Sequence, residues 1–359
     1  MLANRKIQKI GNCIFLKNWP YIIDAINFEL NILLIKKYII MKNILVIGCA
    51  GQIGTELTLA LRKIYGNDHV IATDIKTAPE SITTTGPFET LDIRNRDSLR
   101  SIVKKYSIDG IINMAAILSA VGEEHPMLAW DINMNGLINV LEVAREEKID
   151  RVLTPSSIAA FGPETPRDNT PQETILRPKT MYGLTKVAGE LLGDYYVNRY
   201  GMDIRGLRYP GIISHETLPG GGTTDYAVAI YYDAIKYGKY TCFVKEETTL
   251  PMMYMPDCLN ATIQLFQADK ENLKHHSDFN LSAMSFNVKE LADSIKKYIP
   301  NFEIEYKPDF RQAIADTWPR SIDDSAAREE WGWKPEYDLD AMTQDMLKQI
   351  SAKHEKGLI

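Results

Sequence analysis

The stretch Met41-Lys-Asn-Ile-Leu-Val-Ile-Gly-Cys-Ala-Gly-Gln-Ile-Gly54 decides the fold. Ile44 to Ile47 are continuously apolar and rich in β-branching, as a parallel strand covered on both faces requires. Gly48, Gly51 and Gly54 follow at three-residue spacing. The first permits a tight turn, the second lets backbone approach a pyrophosphate, and the third lets the next helix pack close to the strand. That helix is predicted to begin near Gln52-Ile53, so its free N–H groups and positive dipole end face the same place. A second strand, His69-Val-Ile-Ala-Thr-Asp74, ends in an acid 20 residues after Gly54. An acid there suits the adenosine ribose hydroxyls and repels a 2′-phosphate, which favours NAD over NADP, although Lys76 lies close by.

From Met41 onward the chain alternates strand and helix, so a doubly wound parallel α/β sheet is expected. Phe88-Glu-Thr-Leu-Asp92 reads as a third strand. The segment Asp109-Gly-Ile-Ile-Asn-Met-Ala-Ala116 reads as a fourth, whose small terminal residues Met114, Ala115 and Ala116 would let a flat ring approach. Asp92 and Ile93 could meet the adenine edge or simply end their strand. Pro126 to Lys148 is expected as one long helix with Leu128, Ile132, Leu137, Val140, Leu141 and Ala144 on its buried side. Asn133 on that helix could satisfy backbone groups or help to orient the site. Arg151-Val-Leu-Thr154 and Asp203-Ile-Arg-Gly-Leu-Arg208 are the fifth and sixth strands, with a proline-rich loop and a helix between them. The expected organisation is an extension over 1–40, a nucleotide-binding domain over 41–213, and a smaller, mainly substrate-binding α/β domain over 214–359 with some chain returning to the core.

Composition narrows the function classes. Apolar residues make up 45% and charged residues 25% of the chain, as in ordinary globular proteins. A formal net charge of −6 argues against nucleic acid or an anionic membrane as partner. Cys13, Cys49, Cys242 and Cys258 form no C-x-x-C pair, so neither a zinc site nor a disulfide framework is suggested. In residues 1–40, Asp24 and Glu29 interrupt the apolar positions, which leaves no membrane span. The segment reads as a dispensable extension ahead of a working start at Met41. A cytoplasmic location is expected, or a mitochondrial matrix if the extension serves as a presequence.

Tyr182 and Lys186 lie four apart on a predicted helix and share a face. A lysine ammonium near a phenol favours phenolate and makes tyrosine a usable base. Ser156 and Ser157 fall at a strand's carboxyl end, where catalytic groups gather. A hydroxyl there can hold a substrate oxygen as its proton leaves. Taken together, this constellation resembles the extended short-chain dehydrogenase/reductase family, which includes sugar-nucleotide epimerases and dehydratases. The resemblance covers residues 42 to about 350 and implies a Rossmann-type fold, NAD as cofactor and a homodimer through the helices at 126–148 and 179–200. It implies that Tyr182 and Lys186 also contact the cofactor, together with Asn133, Tyr209 and Ile212. It favours Ser157 over Ser156 as proton relay, with Ser156 on other substrate groups, but both serines stay candidates.

Gly222-Thr-Thr-Asp-Tyr-Ala-Val228, with Pro155-Ser-Ser-Ile-Ala-Ala-Phe-Gly-Pro163 and Tyr209-Pro-Gly-Ile212, looks like the branch of that family that oxidises L-threonine at its 3-hydroxyl. That likeness implies that Ser119, Thr223, Thr224 and Asp225 hold the amino-acid substrate and that Trp318 closes over it. Thr224-Asp225 could equally cap the following helix. The alternatives are a nucleotide-sugar 4-epimerase or dehydratase and a non-catalytic NAD-sensing regulator. The first needs a basic cleft for a diphosphate, and residues 214–256 offer only Lys236, Lys239 and Lys245 besides one histidine. The second has no use for an intact Ser–Tyr–Lys set.

Overall fold

Six short segments of apolar, β-branched sequence line up side by side to make the central sheet. In chain order the strands are β1 Ile44–Ile47, β2 Val70–Asp74, β3 Phe88–Thr90, β4 Gly110–Asn113, β5 Arg151–Leu153, β6 Ser156–Ser157, β7 Ile204–Arg205, β8 Leu207–Tyr209 and β9 Gly211–Ile213. They continue with β10 Lys239–Cys242, β11 Thr249–Tyr254, β12 Phe279–Asn280, β13 Met284–Asn287 and β14 Glu303–Tyr306. This computed structural model describes residues 43–217 and 220–359. The reading of 1–40 as an extension, and of Met41 as a start, lies outside the described residues.

The central sheet has the order β3-β2-β1-β4-β5-β7, and every pairing in it is parallel. Chain order reverses between β1 and β4, the crevice where open α/β sheets bind ligands. Ile44 to Ile47 are all at most 1% exposed, as a strand covered on both faces demands. The first helix is Gln52–Tyr65. This is the doubly wound, Rossmann-type sheet that the glycine stretch foretold.

Two apolar cores stand out among the described residues. One lies around the central sheet, with Leu45, Ile71, Ile111, Leu141 and Val152 among its members. The other gathers later residues such as Tyr226, Tyr231, Met252, Phe286 and Met346, and includes Trp318. Three smaller sheets accompany the second half: β12-β8-β6, β13-β11-β9 and β10-β14. The pairing of β12 with β8 returns late chain to the serine-bearing strand β6.

Three expectations are corrected here. The long helix from Pro126 is interrupted by a wider π-type turn over Asp131–Asn135, between helical segments Pro126–Trp130 and Gly136–Glu146. Such bulges mark functional sites, and Asn133 lies within this one. Leu128 is not on the buried side but 39% exposed. The segment Asp203–Arg208 is not one strand either. At Gly206 the chain leaves the central sheet, its N–H donating to the His276 carbonyl at 2.9 Å. A side chain there would lie 2.2 Å from the Ser277 carbonyl oxygen, so only glycine lets β7 and β8 serve two sheets.

Candidate active site

The nucleotide cradle is built by close approach. Gly48 has φ +86°, and a Cβ on it would fall 2.6 Å from the Ala115 nitrogen. A Cβ on Gly54 would lie 2.0 Å from the Gly48 carbonyl oxygen. The turn therefore packs backbone on backbone and leaves the helix start at Gln52-Ile53 open to a phosphate. Asp74 ends β2 and is fixed at both oxygens, accepting from the Ala50 N–H and the Lys76 N–H at 2.9 Å each. It shares a cleft with Gly48, Gly51, Asp92, Ile93, Met114, Ala115 and Ala116, so both ends of the expected adenosine pocket meet in one place. Asp92 is held by Arg94, whose guanidinium keeps its carboxyl below the usual range. A tight glycine cradle, an acid and small residues at two strand ends fit a dinucleotide.

A second cleft opens beside the first. It is lined by Gln52, Ile53, Ser119, Ser156, Ser157, Tyr182, Lys186, Tyr209, Ile212, Thr223, Thr224, Asp225 and Trp318, among others. Residues from seven separate parts of the sequence thus meet at one place. The helix Met181–Tyr200 presents Tyr182 and Lys186. Its start is fixed by the Thr180 hydroxyl, which accepts from the Gly183 N–H at 3.1 Å, and by Glu123, which accepts from the Met181 N–H at 2.6 Å. Both satisfy otherwise orphaned donors, and Glu123 adds charge complementary to the helix dipole.

The two serines separate by orientation. The Ser157 hydroxyl stands near enough to Tyr182 to pull its phenol down and accepts from the Ala159 N–H at 3.2 Å. The Ser156 hydroxyl instead donates to Glu190, a buried acid on the same helix. Lys186 donates from Nζ to the Pro155 carbonyl at 2.7 Å, and its ammonium stands 5.3 Å from the Tyr182 ring centre.

The electrostatics correct one expectation. Tyr182 is not held towards neutrality. Burial pushes its phenol up to about 12, against the pull of Ser157. Burial also brings the Lys186 ammonium down to about 8, and Glu190 alone is set to raise it. Loss of water disfavours whichever form is charged, so lysine and tyrosine in this closed site do not lower the phenol by themselves.

Several other candidate residues make contacts of their own within the chain. Asn133 spends its amide on the chain: Oδ1 accepts from Ile117 N–H at 2.8 Å, while Nδ2 donates to the Ile117 carbonyl and Thr185 Oγ1 at 3.1 Å each. It shapes the rim rather than reaching across it. The Tyr209 hydroxyl pairs with Thr262, away from the opening. Asp225 does not cap its following helix. Its Oδ2 accepts from Gly221 and Gly222 N–H groups at 2.8 and 2.7 Å and holds the preceding glycine loop. Burial raises its carboxyl. Ser119 and Thr223, 104 residues apart, bring their hydroxyls within 3.3 Å. Trp318 is 4% exposed and lines the cleft. Glu190 and Arg208 escaped the sequence reading, yet Glu190 stands four residues after Lys186 and so on its face of the helix.

Cradle, acid and Ser–Tyr–Lys set define an NAD-binding oxidoreductase class. The chain belongs to the NAD dependent epimerase/dehydratase family, whose pattern matches residues 44–282. A Staphylococcus haemolyticus protein described as an uncharacterized epimerase/dehydratase is 51% identical over 317 residues, covering 88% of this chain and 99% of that one. Two solved structures are similarly near. The L-threonine dehydrogenase of Phytophthora infestans is 53% identical, with 87% of this chain and 99% of that chain covered and a TM-score of 0.84. The L-threonine dehydrogenase of Clostridium difficile is also 53% identical, with 87% and 98% covered and a TM-score of 0.85.

Proposed function

We propose that the chain is an NAD-dependent L-threonine 3-dehydrogenase, which oxidises the 3-hydroxyl of L-threonine to give 2-amino-3-oxobutyrate. The observation that carries this reading is the joining of Ser157, Tyr182 and Lys186 with Ser119, Thr223, Asp225 and Trp318 in one cleft. Its nearness to two L-threonine dehydrogenases supports the same substrate.

When bound, NAD would supply the hydride acceptor and a positive charge. Tyr182 takes the proton of the threonine hydroxyl, because it is the base within reach of Ser157. Ser157 holds that oxygen while the proton leaves. Lys186 would hold the ribose hydroxyls of that cofactor and stabilise the phenolate. Thr223 and Ser119 offer hydroxyls to the carboxylate, and Asp225 offers negative charge to the ammonium. Trp318 shuts water out of the cleft, which strengthens each of these interactions. Residues 41–213 serve mainly the cofactor and 214–359 mainly the substrate.

The chain acts as a homodimer in this reading. Met127, Leu191 and Tyr195 are 72%, 64% and 53% exposed on the outer faces of the two helical segments expected to pair, more apolar surface than a lone helix pair needs. Among the described residues no helix is long and apolar enough to cross a membrane.

The substrate is tested by following NADH formation with L-threonine, L-allo-threonine, L-serine and a UDP-hexose in parallel. Turnover with L-threonine well above the others is expected. Conversion of the UDP-hexose with none of L-threonine would overturn the reading.

A further inference from the structure

Beside the Ser–Tyr–Lys set lies a small polar cavity whose one acid the proposed reaction does not use. Its lining includes Asn133, Thr154, Ser156, Thr185, Lys186 and Glu190. Among its described lining residues, Glu190 is the only acid and Lys186 the only base. Glu190 is 4% exposed and Arg208 is 2% exposed. Arg208 grips both carboxylate oxygens, at 2.9 Å through Nε and 2.8 Å through an outer nitrogen. The same guanidinium donates to the Gln172 carbonyl and the Asn280 Oδ1 at 3.0 Å each and stands 3.3 Å from Asp278. Ser156, opposite Arg208 in the β6–β8 pairing, adds its hydroxyl to Glu190.

A fully buried ion pair is costly to desolvate and is a poor device for stability alone. Here it stands one helical turn from the lysine that the reaction requires, in a shared cavity. We propose that Glu190 is a positioning residue for catalysis: ionised by Arg208 and Ser156, it supplies the buried counter-charge that keeps Lys186 an ammonium in this cavity.

The charges around Lys186 are few. Its own helix contributes Tyr182, Glu190 and, a turn further on, Asp194. Strand β8 contributes Arg208, which is spent on Glu190, with Asp278 and Glu173 beyond it. The groups from β6 and the π-type turn are neutral: the Pro155 carbonyl, the Ser156 hydroxyl and the Asn133 amide. Burial drags the lysine down and Glu190 is the one charge opposing it. Burial raises Glu190 as well, and the bidentate guanidinium opposes that in turn.

The inference rests on the role given to Lys186 in the proposed reaction, namely holding the nicotinamide ribose as a cation. Its test therefore has an arm that needs no amino-acid substrate. NADH affinity of the full chain is titrated by fluorescence from neutral to alkaline pH, beside the pH profile of kcat/KM for L-threonine. Affinity falls as Lys186 loses its proton. In Glu190→Gln that fall moves to lower pH by about one unit or more, the usual effect of removing an opposite charge near a buried lysine. Because Glu190→Gln strands Arg208, the double variant Glu190→Gln with Arg208→Gln is measured too, and it shifts the same way. Asp278→Asn, which removes a charge on the far side of Arg208, leaves the fall where it is. Glu190 variants that lose thermal stability while their alkaline fall stays at the wild-type pH would overturn the inference and leave Glu190 a purely structural anchor. A shifted NADH fall in a protein without activity on L-threonine would keep the role of Glu190 and discard the substrate.

Discussion

Lys186 donates from Nζ to the carbonyl of Pro155 at 2.7 Å, and this bond ties the helix that bears Tyr182 to the strand end that bears the serines. The contact spans 31 residues of sequence. It fixes how far the phenol stands from Ser157, and so the geometry in which a proton can move. Catalytic gain from such positioning falls off steeply with small displacements.

The serines are separable by mutation. Ser157→Ala removes the hydroxyl that faces Tyr182 and is expected to lower kcat roughly 100-fold, the scale of one lost transition-state hydrogen bond. Ser156→Ala removes only a donor to Glu190. It should cost about 1 kcal/mol in urea denaturation and change kcat far less. Steady-state kinetics of the two variants side by side checks this, and the reverse order would exchange their roles.

Asp225 carries two duties that a conservative change divides. In Asp225→Asn the side-chain oxygen still accepts from the Gly221 and Gly222 N–H groups, so the loop stays held. The negative charge is gone. KM for L-threonine should rise about tenfold or more, the worth of one charge-assisted contact, with NADH affinity unchanged. An unchanged KM would confine Asp225 to the loop.

Stability should depend on pH through Glu56. Burial pushes its carboxyl from 4.5 to about 7, and the Ser214 hydroxyl donates to it at 2.6 Å. The folded chain therefore holds a proton there that the unfolded chain releases nearer its ordinary value. Stability from this group is full below about pH 4.5, falls as pH rises towards about 7, and is constant above. Glu56→Gln removes the ionisation and keeps an acceptor for Ser214. Urea denaturation should find the variant more stable than wild type by up to about 3 kcal/mol at alkaline pH and little different in mild acid.

The exposed apolar residues Leu191 and Tyr195 predict a change of assembly. Leu191→Asp places charge on the proposed pairing face and should turn a sedimenting dimer into a monomer at micromolar concentration. Its thermal unfolding should stay cooperative, because the side chain is 64% exposed and contributes little to the core. A wild-type chain that sediments as a monomer would remove the dimer from the account.

Much of this was legible from residue spacing. The glycine stretch, the acid at Asp74 and the Tyr182–Lys186 pair each depend on local geometry, and local geometry follows from sequence periodicity. What escaped depends on contacts between distant segments. Nothing near Gly206 announces that two sheets compete for its neighbours, since the His276 carbonyl that captures it is 70 residues away. The orientation of Ser156 was equally hidden, because Glu190 and Arg208 must first converge. The upward shift of Tyr182 belongs with these. Four-residue spacing places a lysine beside a phenol, but only the packed structure reveals how completely both lose water. Leu128 was misplaced because the π-type turn after it rotates the following segment relative to a regular helix.

The central claim is that Tyr182, in the NAD-dependent oxidation of L-threonine, takes the hydroxyl proton. The most direct measurement is NADH formation from NAD and L-threonine by the wild-type chain and by Tyr182→Phe, with NADH affinity measured on both. The account predicts turnover by wild type, a loss of roughly 1,000-fold or more in the phenylalanine variant, as for other removed acid–base groups, and near-equal NADH binding. Full turnover by Tyr182→Phe would contradict it.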